Sequence, residues 1–118
     1  MRLNHLDLQV SDVQRFTGLL EDVFGFRQLT SHASPAIAIL DDGEGFTLVL
    51  QKKPRPAYPK DFHFGFLVPD PETVKKKQTE LKARGLDVSD VIESGRGVLV
   101  YCRTWDGIMI EVSWHRPR

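Results

Sequence analysis

Two histidines and one glutamate have the residue types of a metal-binding set. His5 lies in the stretch NHLDLQVSD and His63 in FHFGFLVPD, and each comes early in a run with apolar residues at every second position. Glu111 lies in GIMIEVSW, which alternates in the same way near the end of the chain. Two imidazoles and one carboxylate together make a suitable ligand set for a divalent transition metal.

The alternation predicts that these three side chains project from the strand face opposite to the hydrophobic one. If Ile108 and Ile110 face the core, Glu111 projects from the same side of the sheet as His63. A carboxylate on a sheet face with apolar neighbours is costly unless it is paired or coordinated. The pattern therefore favours a shared metal site over satisfied histidines in separate pockets.

The two histidines also occupy matching positions of an internal repeat. They are 63 − 5 = 58 positions apart, and at the same offset Val10 matches Val68 and Asp12 matches Asp70. Such self-similarity predicts that the chain is built from two equivalent structural units.

Each repeat is predicted to contain one helix. Ser11, with Gln14 three residues further on, is expected to cap the first helix, whose apolar stripe stops at Gly25. Asp70 is expected to cap the second helix, which runs to about Arg84. The other segments are predicted strands, at residues 2–10, 26–31, 36–41, 46–52, 63–68, 87–93, 98–104 and 108–114.

This order of elements predicts an α+β fold made of two βαβββ modules in a single domain. Module one covers residues 1–53, a proline-rich linker covers 54–61, and module two covers 62–118. Each module is expected to form a mixed sheet with one helix on its outer face. The two uncovered sheet faces would then curl around a groove.

Composition excludes several classes of protein. The 118 residues include 16 Lys plus Arg and 16 Asp plus Glu, so no basic excess indicates nucleic-acid binding. Cys102 is the one cysteine, so no intrachain disulfide can form. No apolar run is long enough to span a bilayer and no signal-peptide pattern opens the chain, so a cytoplasmic protein without membrane partners is expected.

The βαβββ pairs, the histidine on the first strand of each half and the sequence DGIMIEV resemble the vicinal oxygen chelate superfamily. That superfamily includes glyoxalase I, extradiol dioxygenases, fosfomycin-resistance thiol transferases and bleomycin-binding proteins. The resemblance implies that His5, His63 and Glu111 bind a divalent metal, with Fe, Mn, Zn, Ni and Co all open. It also implies a homodimer whose sites combine His5 of one chain with His63 and Glu111 of the other, although the linker also permits closure within one chain.

A fourth position of the superfamily's metal site departs from the pattern. Aligning GFTLVL with GIMIEV places Val49 opposite Glu111, and valine cannot bind a metal. Gln51, two residues further on the same face, would replace it only after a register shift. Three ligands resemble the sites of extradiol dioxygenases and fosfomycin-resistance enzymes and leave open positions for a substrate.

Further residues on the same sheet faces are predicted to contact the substrate. Tyr101 would donate to a substrate oxygen, so Tyr101 and Glu111 are the predicted catalytic residues. Arg103 would hold an anionic group. The other predicted substrate-binding residues are Asp7, Gln9 and Val49. By the same alternation Cys102 belongs to the core, whereas His115 is expected at the surface and His32 beside a loop.

These residues predict a metal-dependent enzyme that acts on a small oxygenated molecule by chelation. Lyase, dioxygenase and thiol-transferase chemistry all remain open. The alternative is a non-catalytic, drug-sequestering binding or resistance protein of the same fold, whose groove would need no metal.

Overall fold

A computed structural model describes residues 1–29 and 34–118 of the chain. The chain divides into two compact units, Met1–Pro56 and Ala57–Arg118. Both units consist of a sheet with one helix packed on it, which confirms the predicted α+β class. Within the described residues, no helix is both long and apolar enough to cross a membrane.

The first unit is a four-stranded mixed sheet. Its strands follow the order β1-β4-β3-β2, in which β1 and β4 are parallel and the other neighbours are antiparallel. Parallel pairing of β1 with β4 brings the start of the chain beside the end of the unit. The elements are β1 His5–Val10, α1 Val13–Phe24, β2 Arg27–Gln28, β3 Ile37–Asp41 and β4 Thr47–Lys52.

Helix α1 begins one residue later than predicted. Its N-cap is Asp12 rather than Ser11, and the Asp12 carboxylate accepts a 3.0 Å hydrogen bond from the Arg15 backbone N–H. A carboxylate at this position also interacts favourably with the positive end of the helix dipole, which a serine hydroxyl does only weakly. The helix ends as predicted at Gly25, whose φ of 70° is the left-handed conformation that glycine adopts without strain.

The second unit repeats this plan with one additional strand. The sheet order is β5-β9-β8-β6, with β5 parallel to β9, and β7 also pairs with β8. The elements are β5 His63–Leu67, α2 Pro71–Ala83, β6 Asp87–Val88, β7 Ile92–Ser94, β8 Gly97–Arg103 and β9 Met109–His115. As predicted, Asp70 caps α2 and accepts a hydrogen bond from the Thr73 backbone N–H.

The predicted strand at 87–93 is wrong, because the structure divides it into β6 and β7. The break falls at Ser89, whose backbone N–H donates to the Tyr101 carbonyl while its hydroxyl accepts from the Tyr101 N–H. The side chain thus replaces the backbone carbonyl that a continuous ladder would use. Three residue steps lead from Ser89 to Ile92 against two from Tyr101 to Leu99, so the strand bulges.

In each unit the hydrophobic core lies between the sheet and its helix. Helix α1 packs on β3 and β4, and α2 packs on β8 and β9. The alternation along the strands holds as predicted, and Cys102 is a fully buried core residue. The opposite sheet face carries the polar candidates. The buried core side chains include Leu8, Val10, Phe16, Leu20, Leu40, Leu50, Val74, Leu81, Val100, Ile110 and Val112.

Candidate metal and substrate site

Strand pairing shows that Val49 and Glu111 are equivalent positions. In the first unit His5 pairs with Thr47 and Asp7 with Val49, and in the second His63 pairs with Met109 and Gly65 with Glu111. The first strands of the units are thus offset by 63 − 5 = 58 residues and the last strands by 111 − 49 = 62. This register agrees with the alignment made from the sequence.

Three candidate residues come together on the face of the second sheet that points away from its helix. Tyr101 pairs directly with Glu111 across β8 and β9, and its hydroxyl donates a hydrogen bond to the Glu111 carboxylate. The Tyr101 ring also meets the His63 ring edge-on, with 5.8 Å between ring centroids and 82° between the planes. Tyr101 therefore contacts both candidate metal ligands of this unit.

The environment of Tyr101 keeps its hydroxyl protonated. Loss of solvent raises the pKa of Tyr101, and the hydrogen bond to Glu111 and the negative charge of that carboxylate raise the pKa further. At neutral pH the side chain is a hydrogen-bond donor. The arrangement can orient a carboxylate or donate to an oxygen atom of a bound molecule.

The backbone before β5 sets the orientation of the His63 ring. Nδ1 of His63 lies 3.0 Å from the carbonyl oxygen of Asp61. Because a carbonyl oxygen can only accept, Nδ1 carries the hydrogen and Nε2 carries the lone pair that a metal requires. Asp61 has a φ of 66°, a left-handed conformation that aspartate tolerates better than most residues.

His5 in the first unit has an equivalent orientation. Its Nδ1 lies 2.8 Å from Oδ1 of the preceding Asn4, an amide oxygen that likewise only accepts. His5 is exposed on the sheet face that points away from α1. Each histidine thus has its Nδ1 held by an oxygen acceptor from the segment just before it, and Nε2 is the ring nitrogen that keeps a free lone pair in both.

Asp7 and Gln51 form a pair on the same face as His5. The Gln51 amide nitrogen donates to both Asp7 carboxylate oxygens, at 2.9 and 2.8 Å. Strand β4 keeps the unshifted register, with Gln51 opposite Gln9. The register shift that would make Gln51 the substitute for Val49 therefore does not occur.

A cavity of about 410 Å³ opens beside His63 in the second unit. A volume of this size accommodates a small molecule. Arg103, an exposed cation, shares this cavity with the carboxylates of Asp61 and Asp87, and Arg103 pairs with Asp87 across β8 and β6. The lining residues are Asp61, His63, Asp87, Ser89, Tyr101, Arg103 and Met109.

Four of these lining residues were missed by the sequence analysis. Met109 could have been predicted, because it lies on the same strand face as Glu111, which is two residues further along the chain. Asp87 depends on its pairing with Arg103 across the sheet. Ser89 depends on the break between β6 and β7 and Asp61 on a turn conformation, so no sequence period indicated them.

The remaining candidates fall outside the site. His115 is exposed at the end of β9, as predicted, and His32 lies outside the described residues. Burial, with a contribution from the negative charge of Asp87, raises the pKa of Cys102 to about 11, so this thiol stays neutral in the core. Across residues 1–29 and 34–118 of one chain, no three His, Cys, Asp or Glu side chains form a group that could hold a metal.

Comparison with known proteins identifies the family. The family model described as the Glyoxalase/Bleomycin resistance protein/Dioxygenase superfamily matches residues 2–112, almost the whole chain. The chain therefore belongs to this superfamily, as the resemblance of its strand histidines implied. No curated protein matches the chain.

Solved structures of the same fold support this assignment. A protein described as a possible glyoxalase from Bacillus cereus is 34% identical, with a TM-score of 0.85 over 96% of this chain and 98% of its own. The fosfomycin resistance protein FosX from Listeria monocytogenes, complexed with Mn(II) and sulfate, is 19% identical, with a TM-score of 0.82 over 98% and 90%. Lactoylglutathione lyase from Agrobacterium tumefaciens is 20% identical, with a TM-score of 0.76 over 96% and 92%.

Proposed function

We propose that this protein is a metal-dependent enzyme that acts on a small oxygenated molecule, with His5, His63 and Glu111 as the metal ligands. One observation carries the proposal. Two histidines at equivalent positions of the two units each have Nδ1 held by an oxygen acceptor, at 2.8 and 3.0 Å. Metal-binding histidines characteristically donate the second ring N–H to an oxygen, which fixes the tautomer and the ring orientation.

The donor set suits a divalent transition metal. Two imidazole nitrogens and one carboxylate are ligands that Mn, Fe, Co, Ni and Zn all accept, so the metal itself is not assigned. When bound, such an ion would chelate two adjacent substrate oxygens and stabilise negative charge that develops on them. The Mn(II) in FosX from Listeria monocytogenes shows that a protein of this fold carries a metal of this class.

The second unit supplies the residues that act beside the metal. Glu111 completes the ligand set, and the single hydrogen of the Tyr101 hydroxyl is donated to its carboxylate until a bound substrate oxygen accepts it instead. Arg103 at the cavity pairs with an anionic group of the substrate. From the first unit, Gln9, Asp7 and Val49 contact the substrate.

The proposed assembly is a homodimer with two sites. Each site combines His5 of one chain with His63 and Glu111 of the other. This arrangement agrees with the way in which the ligands are divided, since the first unit carries one of them and the second unit carries two. Symmetry then makes the two sites identical.

Elemental analysis of the protein, purified without a polyhistidine tag, tests the proposal. We expect transition metal at about one ion per chain in the wild type and its loss in His63→Ala. His115→Ala is the matched control, because His115 is exposed in the same unit and should leave the metal content unchanged. Metal-free wild-type protein that binds an aromatic ligand with equal affinity in His63→Ala would contradict the enzyme and indicate a binding protein.

A further inference from the structure

The cross-strand pair two residues beyond each histidine, on the same sheet face, differs between the two units. In the first unit the pair is Asp7 on β1 with Val49 on β4, and in the second unit it is Gly65 on β5 with Glu111 on β9. Each pair has one carboxylate and one residue without a polar side-chain atom. The carboxylate is on the first strand in one unit and on the last strand in the other.

Close packing surrounds the glycine of the second pair. A Cβ atom added at Gly65 would lie 3.0 Å from the Glu111 carbonyl oxygen and 3.2 Å from the Glu111 Cβ. A side chain at position 65 would therefore press on Glu111. In the first unit Asp7 and Val49 both carry side chains, and Asp7 supplies the carboxylate of the pair.

Asp7 has the surroundings of an oriented metal ligand. It is exposed on the same face as His5, two residues further along β1. The Gln51 amide nitrogen bonds both of its carboxylate oxygens, at 2.9 and 2.8 Å. A carboxylate has about four lone-pair positions, so these bonds leave acceptor capacity on each oxygen. Ligating carboxylates are themselves usually hydrogen-bonded by a neighbour.

We infer that Asp7 is a further metal ligand, contributed by the first unit as the counterpart of Glu111. In the proposed dimer the first unit of one chain and the second unit of the other then each supply one histidine and one carboxylate to an ion, and Gln51 positions Asp7 as Tyr101 positions Glu111. This inference rests on the proposed function and replaces the role of Asp7 as a substrate contact. A fourth protein ligand leaves fewer open positions and adds a negative charge to the site.

Titration calorimetry with Mn(II) on the metal-stripped protein tests the inference without any assay of activity. We expect Asp7→Asn to weaken Mn(II) binding roughly tenfold or more, and Gln51→Ala to weaken it less. Glu21→Gln, which removes an exposed carboxylate from α1, is the matched control and should bind as the wild type does. Circular dichroism of each metal-free variant verifies that it is folded.

Introducing the glycine–glutamate pair of the second unit into the first unit tests the inference more directly. Asp7→Gly alone should lose affinity, and the double variant Asp7→Gly with Val49→Glu should regain it, because it reproduces the pair of Gly65 and Glu111. Equal Mn(II) affinity in the wild type and Asp7→Asn would overturn this inference, while loss of binding in His63→Ala would still support the proposed function. Absence of Mn(II) binding in the wild type would overturn both.

Discussion

At the residue scale, the orientation of two ring nitrogens and one carboxylate decides what the site can bind. Asn4 and Asp61 each accept the Nδ1 hydrogen of the following histidine. The Tyr101 hydroxyl orients the Glu111 carboxylate by a hydrogen bond. These neighbours do not need to touch a metal or a substrate, yet they set which atoms are presented to one.

Replacing Tyr101 by phenylalanine tests that positioning role. Tyr101→Phe keeps the ring beside His63 and removes only the hydroxyl that bonds Glu111, so we expect an unchanged fold and Mn(II) binding about tenfold weaker. Calorimetric Mn(II) titration measures the affinity, and circular dichroism measures the fold. Tyr58→Phe is a suitable control, since Tyr58 is the other tyrosine of the chain and lies before β5. Unchanged affinity in Tyr101→Phe would show that the hydroxyl does not orient the ligand.

At the element scale, the parallel pairing of the first and last strands of each unit builds the site. It places Glu111 two residues beyond Met109, the partner of His63, and gives Tyr101, on the next strand, access to both. Ser89, at the bulge, and Asp87, paired with Arg103 on β6, both line the cavity. Regular strands thus supply most of the cavity lining, and a local departure from the ladder adds Ser89 to it.

Substitution of Gly65 tests the close packing between β5 and β9. We expect Gly65→Ala to lower the free energy of unfolding by about 1 kcal/mol, because the new methyl group would crowd the backbone and side chain of Glu111. Metal binding should weaken with it, since Glu111 must move. Thermal unfolding and Mn(II) titration measure the two effects.

The matched control for that substitution is Gly95→Ala. A Cβ at Gly95 would meet no atom within 4 Å of it among the described residues, so the change should be close to neutral. If Gly95→Ala and Gly65→Ala behaved alike, close packing against Glu111 would not be the reason for glycine on β5.

At the scale of the whole molecule, the internal repeat distributes the proposed ligands over two units of similar design. A duplicated βαβββ plan produces equivalent strand positions, and sequence divergence has then placed different side chains at them. Val49 and Glu111 are one such pair, and Asp7 and Gly65 are another. The asymmetry between the units is therefore as informative as their similarity.

Subunit complementation tests the proposed sharing of sites between chains. Neither His5→Ala nor His63→Ala should bind metal as a homodimer. A heterodimer of the two variants, isolated with two different tags that contain no histidine, should hold about one metal ion per two chains. In that heterodimer one site receives both intact histidines and the other receives neither. Heterodimers without metal would show that each site is completed within a single chain.

The features that could be predicted from the sequence alone are those set by residues close together along the chain. Alternation along the strands, the apolar stripe of α1 and the stop at Gly25 depend on neighbouring residues, and they predicted the elements and the faces of His5, His63 and Glu111. The predicted cap at Ser11 and the predicted continuous strand at 87–93 were wrong for the opposite reason. The observed cap at Asp12 and the break at Ser89 each depend on a hydrogen bond to one particular partner, which no periodic pattern encodes.

Tertiary structure alone decided the contacts that turn candidate residues into a site. The Tyr101–Glu111 bond, the Asp7–Gln51 pair and the cavity beside Arg103 join residues distant in sequence through strand register. Register follows from the packing of complete strands against a helix, so it is a property of the folded sheet rather than of any single segment. The sequence identified the residues with suitable chemistry, and pairing between strands determined which of them act together within each unit.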